Sequence, residues 1–202
     1  WPDQPVAADV INPFDAASQE SRLRQINIPS DAAIKWHKKI VSFIQDEEHS
    51  LPNTHLIALN YCNLYYPIRD VVPGISIINF HYAWPEAVLL NYGWNKVIGF
   101  DESGFAGNAD STYRMQAWKF ILSGGGLFNN LDYSFAAGFE DGTFRHSASP
   151  GGGSSLLRKQ LKVLKDFIHS FSFVDMYPDR SVVKKTSGVY TYVLAETGKQ
   201  YA

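Results

Sequence analysis

Cysteine is nearly absent: Cys62 stands alone among 202 residues. A single thiol excludes an internal disulfide and a metal site built on paired cysteines, and leaves the redox compartment open. No apolar run approaches the roughly 18 residues that a membrane-spanning helix needs, so no membrane partner is expected. Charge of either sign is sparse. Lys and Arg number 18 against 20 Asp and Glu, a formal net of −2, which offers neither nucleic acid nor an anionic surface a field to follow. The chain opens on Trp1 with no signal peptide. It is expected to be a processed or trimmed sequence, so that absence says nothing about secretion.

What is plentiful is apolar and aromatic. Hydrophobic residues make up 45% of the chain, enough for a real core in one domain or a little more. Thirteen Phe, eleven Tyr and five Trp can fill that core or line a sugar-binding groove, and composition alone does not separate the two.

Residues 1–28, with Pro2, Pro5 and Pro13, are expected to form a long loop. Ser30 is placed to cap a helix whose apolar face is Ile34, Trp36, Ile40, Phe43 and Ile44, ended by Ser50-Leu51-Pro52. Two short apolar runs follow, HLIALNYC (55–62) and ISIINFHY (75–82), and a third is KVIGF (96–100). Such runs suit strands covered on both faces, as in parallel sheets. A short helix over 85–91 separates the second from the third. A helix over 111–123, with Met115, Trp118 and Leu122 on one face, leads through Gly124-Gly125-Gly126 to a fourth strand within 127–135. Leu157, Leu161, Leu164, Ile168 and Phe171 form one continuous stripe on a last helix. This alternation predicts a parallel α/β architecture. Ser181–Lys185 and Val189–Leu194 are expected as two antiparallel strands of something else.

In parallel α/β folds the reacting groups come from the C-terminal ends of strands. The four runs end on Asn60 and Asn63, on His81-Tyr82, on Asp101-Glu102 and on Asp132-Tyr133. Each has a bland alternative. A Glu after a strand is usually a solvated loop residue, a lone His is usually a satisfied half-buried one, and Asn60 and Asp132 are good turn formers. Their recurrence at matching positions points to a shared site.

NFHYAWPEAV (79–88), KVIGFDESGF (96–105) and YRMQAWKFILSGGGLFNNLDYSF (113–135) resemble the last strands of a clan-A (β/α)8 glycoside hydrolase of the bacterial cellulase-like kind. PGGG and LRKQLKVLKDF (150–167) are similar to the last barrel helix. The resemblance covers most of residues 30–179, and implies the C-terminal half of a TIM barrel, strands five to eight, over 1–179. The start of a trailing β-sandwich is expected over 180–202. It implies that Glu102 is the catalytic nucleophile, with Tyr82 donating a hydrogen bond to it and His81 binding sugar hydroxyls or fixing protonation nearby. Asn60 and Asp132 are then hydroxyl contacts and Trp84 a stacking platform, although a Trp beside Pro85 could equally pack on the helix.

The clan's acid/base is a Glu preceded by Asn, and no Asn-Glu pair occurs in the sequence. Glu20, Glu47, Glu48, Glu140 and Asp141 are poor substitutes, none lying at a strand end. The expectation is therefore an inactive piece of a secreted or periplasmic glycosidase, its partner a carbohydrate, with no cofactor or metal implied. Rival readings are a non-catalytic carbohydrate-binding barrel, a metal-dependent barrel hydrolase using His81 and Asp132, and a parallel α/β domain whose strand-end residues only serve turns.

Overall fold

The computed structural model describes residues 30–62, 67–103, 106–145, 153–185, 188 and 190–202. The loop expected over 1–28, Glu20, Asn63 and most of the PGGG run lie outside them. The order is α1 (Asp31–Glu48), β1 (Ala58–Cys62), β2 (Ile77–His81), α2 (Ala87–Asn91), β3 (Val97–Ser103), α3 (Asp110–Leu122), β4 (Leu127–Asn130) and α4 (Ser155–Ile168). Three short strands follow, β5 (Tyr177–Pro178), β6 (Leu194–Glu196) and β7 (Gln200–Tyr201). The first four strands form a parallel sheet in the order β1-β2-β3-β4, as the alternating runs predict. No helix of the described residues is long and apolar enough to cross a membrane.

The chain divides into two compact units between Gly99 and Phe100, inside β3. In the first, Ser30 caps α1, its side chain accepting the Ala33 N–H at 3.1 Å. The expected apolar face is only half right: Val41 is buried, whereas Trp36 and Phe43 are 60% exposed. Trp36 and Phe43 lie seven residues apart and so share the outward side of the helix. β1 starts three residues later than the apolar run, because His55 is held by Glu48 at the end of α1, backbone N–H to Oε2 at 3.0 Å. β1 and β2 pair in register, Asn60 beside Asn79 and Cys62 beside His81. Ile78 and Phe80 are fully buried. Beyond β2 the buried Asn91 carboxamide accepts the Ile68 N–H at 2.7 Å and donates to the Ala87 carbonyl at 2.8 Å. These bonds tie the segment before β2 to α2.

In the second unit the helix over Asp110–Leu122 turns a different face inward from the expected one. Tyr113, Ala117, Phe120 and Ile121 are buried, spaced by four, three and one, and Met115 is 52% exposed. Phe120 meets Phe100 and Phe128, whose rings also meet each other at 5.5 Å, making an aromatic layer between α3 and the strands. Trp118 packs on Phe167 of α4. Gly125 cannot carry a Cβ, which would stand 2.2 Å from the Phe120 ring. On α4, Leu157, Leu164 and Ile168 are buried, as the stripe predicts, and Ser154 caps it through the Leu157 N–H at 2.9 Å.

The C-terminal region differs most. β5-β6-β7 is a small antiparallel sheet that starts at Tyr177, and no sandwich is formed by the described residues. The strand expected from Ser181 is a single 3-10 turn instead, since the Asp179 carboxylate takes both the Ser181 N–H, at 2.9 Å, and its hydroxyl.

Candidate active site

In the first unit, Asn60 lies in the middle of β1, two residues short of its end, and is exposed. Its register partner Asn79 is 8% exposed and keeps a buried carboxamide oxygen without a hydrogen-bond partner. In the sequence Asn79 carries no signal of its own, since it lies inside an apolar run. His81 is the last residue of β2. Its ring stands 6.1 Å from that of Tyr82, nearly edge-on at 71°. Tyr82 breaks the strand with φ +53°, one of two non-glycine residues at positive φ among those described. A bulky residue in that region is held there by its surroundings, and such strain gathers at functional sites. Trp84 is 45% exposed, and its carbonyl accepts the Ala87 N–H at 2.9 Å as α2 begins.

In the second unit, Asp101 and Glu102 stand inside β3 and not beyond it. Both are half-buried. Consecutive residues of β4 grip the chain on either side of Glu102. Asn129 Nδ2 donates to the Asp101 carbonyl at 3.3 Å, and Ser103 Oγ donates to Asn130 Oδ1 at 2.7 Å. Ser103 and Asn130 are both buried. The loop after β3 is steadied by the Tyr113 hydroxyl, which donates to the Gly107 carbonyl.

Asp132 serves the loop after β4 and the start of α4. Its Oδ1 accepts the Ser134 N–H at 2.9 Å and the Ser134 hydroxyl at 2.6 Å, and its Oδ2 accepts Arg158 Nη1 at 2.8 Å. Arg158 also donates to Ser134 Oγ at 2.7 Å and to the Gly142 carbonyl at 3.0 Å, with its guanidinium 4.9 Å from the centre of the Phe135 ring. Gly153 completes the arrangement, because a Cβ there would lie 2.2 Å from Asp132 Oδ1. β4 lies within the expected stretch, and the turn at Asp132 follows its end. Arg158, the residue that defines this cluster, left no signal in the sequence beyond one charge on an amphipathic helix.

Three of the other carboxylates weighed as an acid, Glu48, Glu140 and Asp141, are taken up locally. Glu140 accepts the Gly138 N–H at 2.9 Å, which holds its carboxyl below the usual range. Asp141 accepts the Thr143 N–H and hydroxyl. Glu48 binds His55 through backbone and ring, and those bonds lower its pKa. No group of three or more His, Cys, Asp or Glu side chains among the described residues is placed to hold a metal ion.

No family model matches the chain, and no curated protein does. Among solved structures it is similar to the X-ray structure of the endo-beta-1,4-mannanase from Thermotoga petrophila, at 12% sequence identity and a TM-score of 0.44. The match covers 64% of this chain and 39% of that one.

Proposed function

We propose that this chain carries the nucleophile of a retaining glycoside hydrolase, and that the nucleophile is Glu102. The supporting observation is its place: a half-buried carboxylate at the C-terminal end of a parallel strand, held between two side-chain hydrogen bonds from β4. In the reaction, a Glu102 oxygen attacks the anomeric carbon. The C1–O bond to the leaving group breaks with its electron pair going to that oxygen, which takes a proton from a second carboxyl. Water, deprotonated by the same carboxyl, then displaces Glu102 from C1, the two carboxyls working at about 5–5.5 Å. A second carboxyl of the whole enzyme takes that part. His81 and Tyr82 keep the supporting roles that the resemblance implies, Asn60 the hydroxyl contact and Trp84 the stacking surface, whereas the Asp132 oxygens are already engaged by Ser134 and Arg158. The glycan met by a secreted or periplasmic protein is the proposed substrate.

A 2,4-dinitrophenyl 2-deoxy-2-fluoro-β-glycoside tests the assignment without the missing acid. Its leaving group departs as the phenolate and needs no proton, and the fluorine slows hydrolysis of the glycosyl-enzyme so that the adduct accumulates. Incubation of the chain with the glucoside, mannoside and xyloside forms of this reagent is expected to add one fluorosugar to the peptide containing Glu102. Glu102→Gln removes the adduct. Absence of any adduct with all three sugars sinks the assignment. Oligosaccharide binding without an adduct favours the non-catalytic carbohydrate-binding reading. The metal-hydrolase reading is disfavoured by the Arg158 ion pair on Asp132, one of its two ligands.

A further inference from the structure

Side chains alternate along a strand, so two neighbouring strands keep their faces in step only if equal numbers of residues separate their contacts. Between β3 and β4 they do not. Phe100 and Phe128 lie on the α3 side, both against Phe120. Asn130, two residues past Phe128, is buried on that same side by simple alternation, and exposed Asn129 is on the other. Ser103, however, is three residues past Phe100 and still reaches Asn130 at 2.7 Å. Three steps on β3 match two on β4. One residue of offset is therefore absorbed at Asp101-Glu102, in the manner of a β-bulge. In a regular strand Glu102 would point into the aromatic layer with Phe100. With the offset taken at Asp101-Glu102, alternation assigns Glu102 to the opposite face, that of exposed Asn129.

We infer that Asn130, through Ser103, and Asn129, through the Asp101 carbonyl, are positioning residues that hold this offset and so aim the Glu102 carboxylate. The inference rests on the reading of Glu102 as the nucleophile. Neither asparagine touches the reacting atoms. The Ser103–Asn130 bond fixes the residue after Glu102 from the buried side and the Asn129 bond fixes the residue before it from the open side. Between two fixed neighbours the side chain of Glu102 is left with little choice of direction.

The test is the rate at which the full chain is labelled at Glu102 by the dinitrophenyl fluoroglycoside to which the parent responds, read beside its melting temperature. Asn130→Leu removes the acceptor and strands a buried hydroxyl, so it lowers both. Ser103→Ala with Asn130→Leu removes both partners of this bond, so neither is orphaned by loss of the other, and is expected to recover much of the melting temperature. Labelling in that double variant stays slow, on the order of 100-fold below the parent, as expected for a misplaced reacting group. Asn130→Asp, which keeps an oxygen for Ser103, retains most of the parent rate. Asn129→Ala slows labelling with little change in melting. A double variant that labels as fast as the parent overturns the positioning role and leaves the nucleophile standing. A parent chain that takes no label overturns the nucleophile, and this inference with it.

Discussion

Tyr82 is the residue whose backbone departs furthest from what its side chain favours. At φ +53° its Cβ crowds the following carbonyl, a conformation that costs an L-residue about 1–2 kcal/mol and glycine almost nothing. A tyrosine stands where Gly or Asn would sit more easily, directly after His81. Comparing Tyr82→Ala with Tyr82→Gly separates ring from backbone, since both lose the phenol and only alanine keeps the strain. The glycine variant is expected to be the more stable by about 1 kcal/mol in urea denaturation, the reverse of the order in an ordinary strand. Equal stability of the two would show that the backbone relaxes and that no strain is stored at this position.

At the scale of elements, the parallel strands and the last helix were legible because their residues are chosen by burial, and burial leaves a period. Ile78, Phe80, Ile98 and Phe100 are apolar for the same reason that they are hidden. The boundaries are less legible, because side-chain hydrogen bonds that leave no period set them: Glu48 to His55, Asp179 to Ser181 and Asp132 to Ser134 locally, and Asp132 to Arg158 across 26 residues. Spacing does not decide the inward face of α3, because Met115, Trp118 and Leu122 fit a helical spacing as well as Tyr113, Ala117 and Phe120 do. Only the aromatic layer with Phe100 and Phe128 decides between them. Of the candidate site, Glu102, His81 and Tyr82 were visible as polar residues ending apolar runs, whereas Asn130 and Ser103 were not, since a strand offset has no sequence period. The Asp132 cluster yields the test at this scale. Arg158 anchors the loop after β4 to α4 through three planar hydrogen bonds, so Arg158→Met is expected to destabilise the chain by about 1–3 kcal/mol in urea. Arg158→Lys keeps the charge but loses the fork, and is expected to recover little of that. Asp132→Asn preserves the turn with Ser134 and weakens the ion pair, so it should lie between parent and Arg158→Met. Unchanged stability in Asp132→Asn together with lost oligosaccharide binding would instead give Asp132 to the substrate.

For the whole molecule, titratable groups bound the pH range of stability from both sides. On the acid side, burial depresses His37 below its ordinary 6.5. Glu48, Glu140 and Glu196 are held below 4.5 and Asp179 below 3.8 by hydrogen bonds that favour the carboxylate. A group whose pKa is lowered in the folded state stabilises it above the unfolded pKa, and that contribution fades as the pH falls through the folded value. Stability is therefore expected to slacken first below pH 6.5, from His37, and to fall further below pH 4.5 as the carboxylates take up protons. On the alkaline side, burial pushes the Tyr61 hydroxyl from 10.0 up to about 12, with the backbone at Val72 pulling the other way and Asp70 adding to the rise. Here the sign reverses: the unfolded chain ionises at Tyr61 first, so stability is full below pH 10 and is lost as the pH climbs toward 12. Melting temperatures measured from pH 3 to pH 12 are expected to trace a plateau between roughly pH 7 and 10 with a shoulder on each flank. Tyr61→Phe removes the ionisable hydroxyl and should flatten the alkaline flank while leaving the acid flank in place. His37→Gln should flatten the first acid step alone. An alkaline fall that persists in Tyr61→Phe would place the ionisation elsewhere, with Tyr92, whose pKa partial burial also raises, as the next residue to replace.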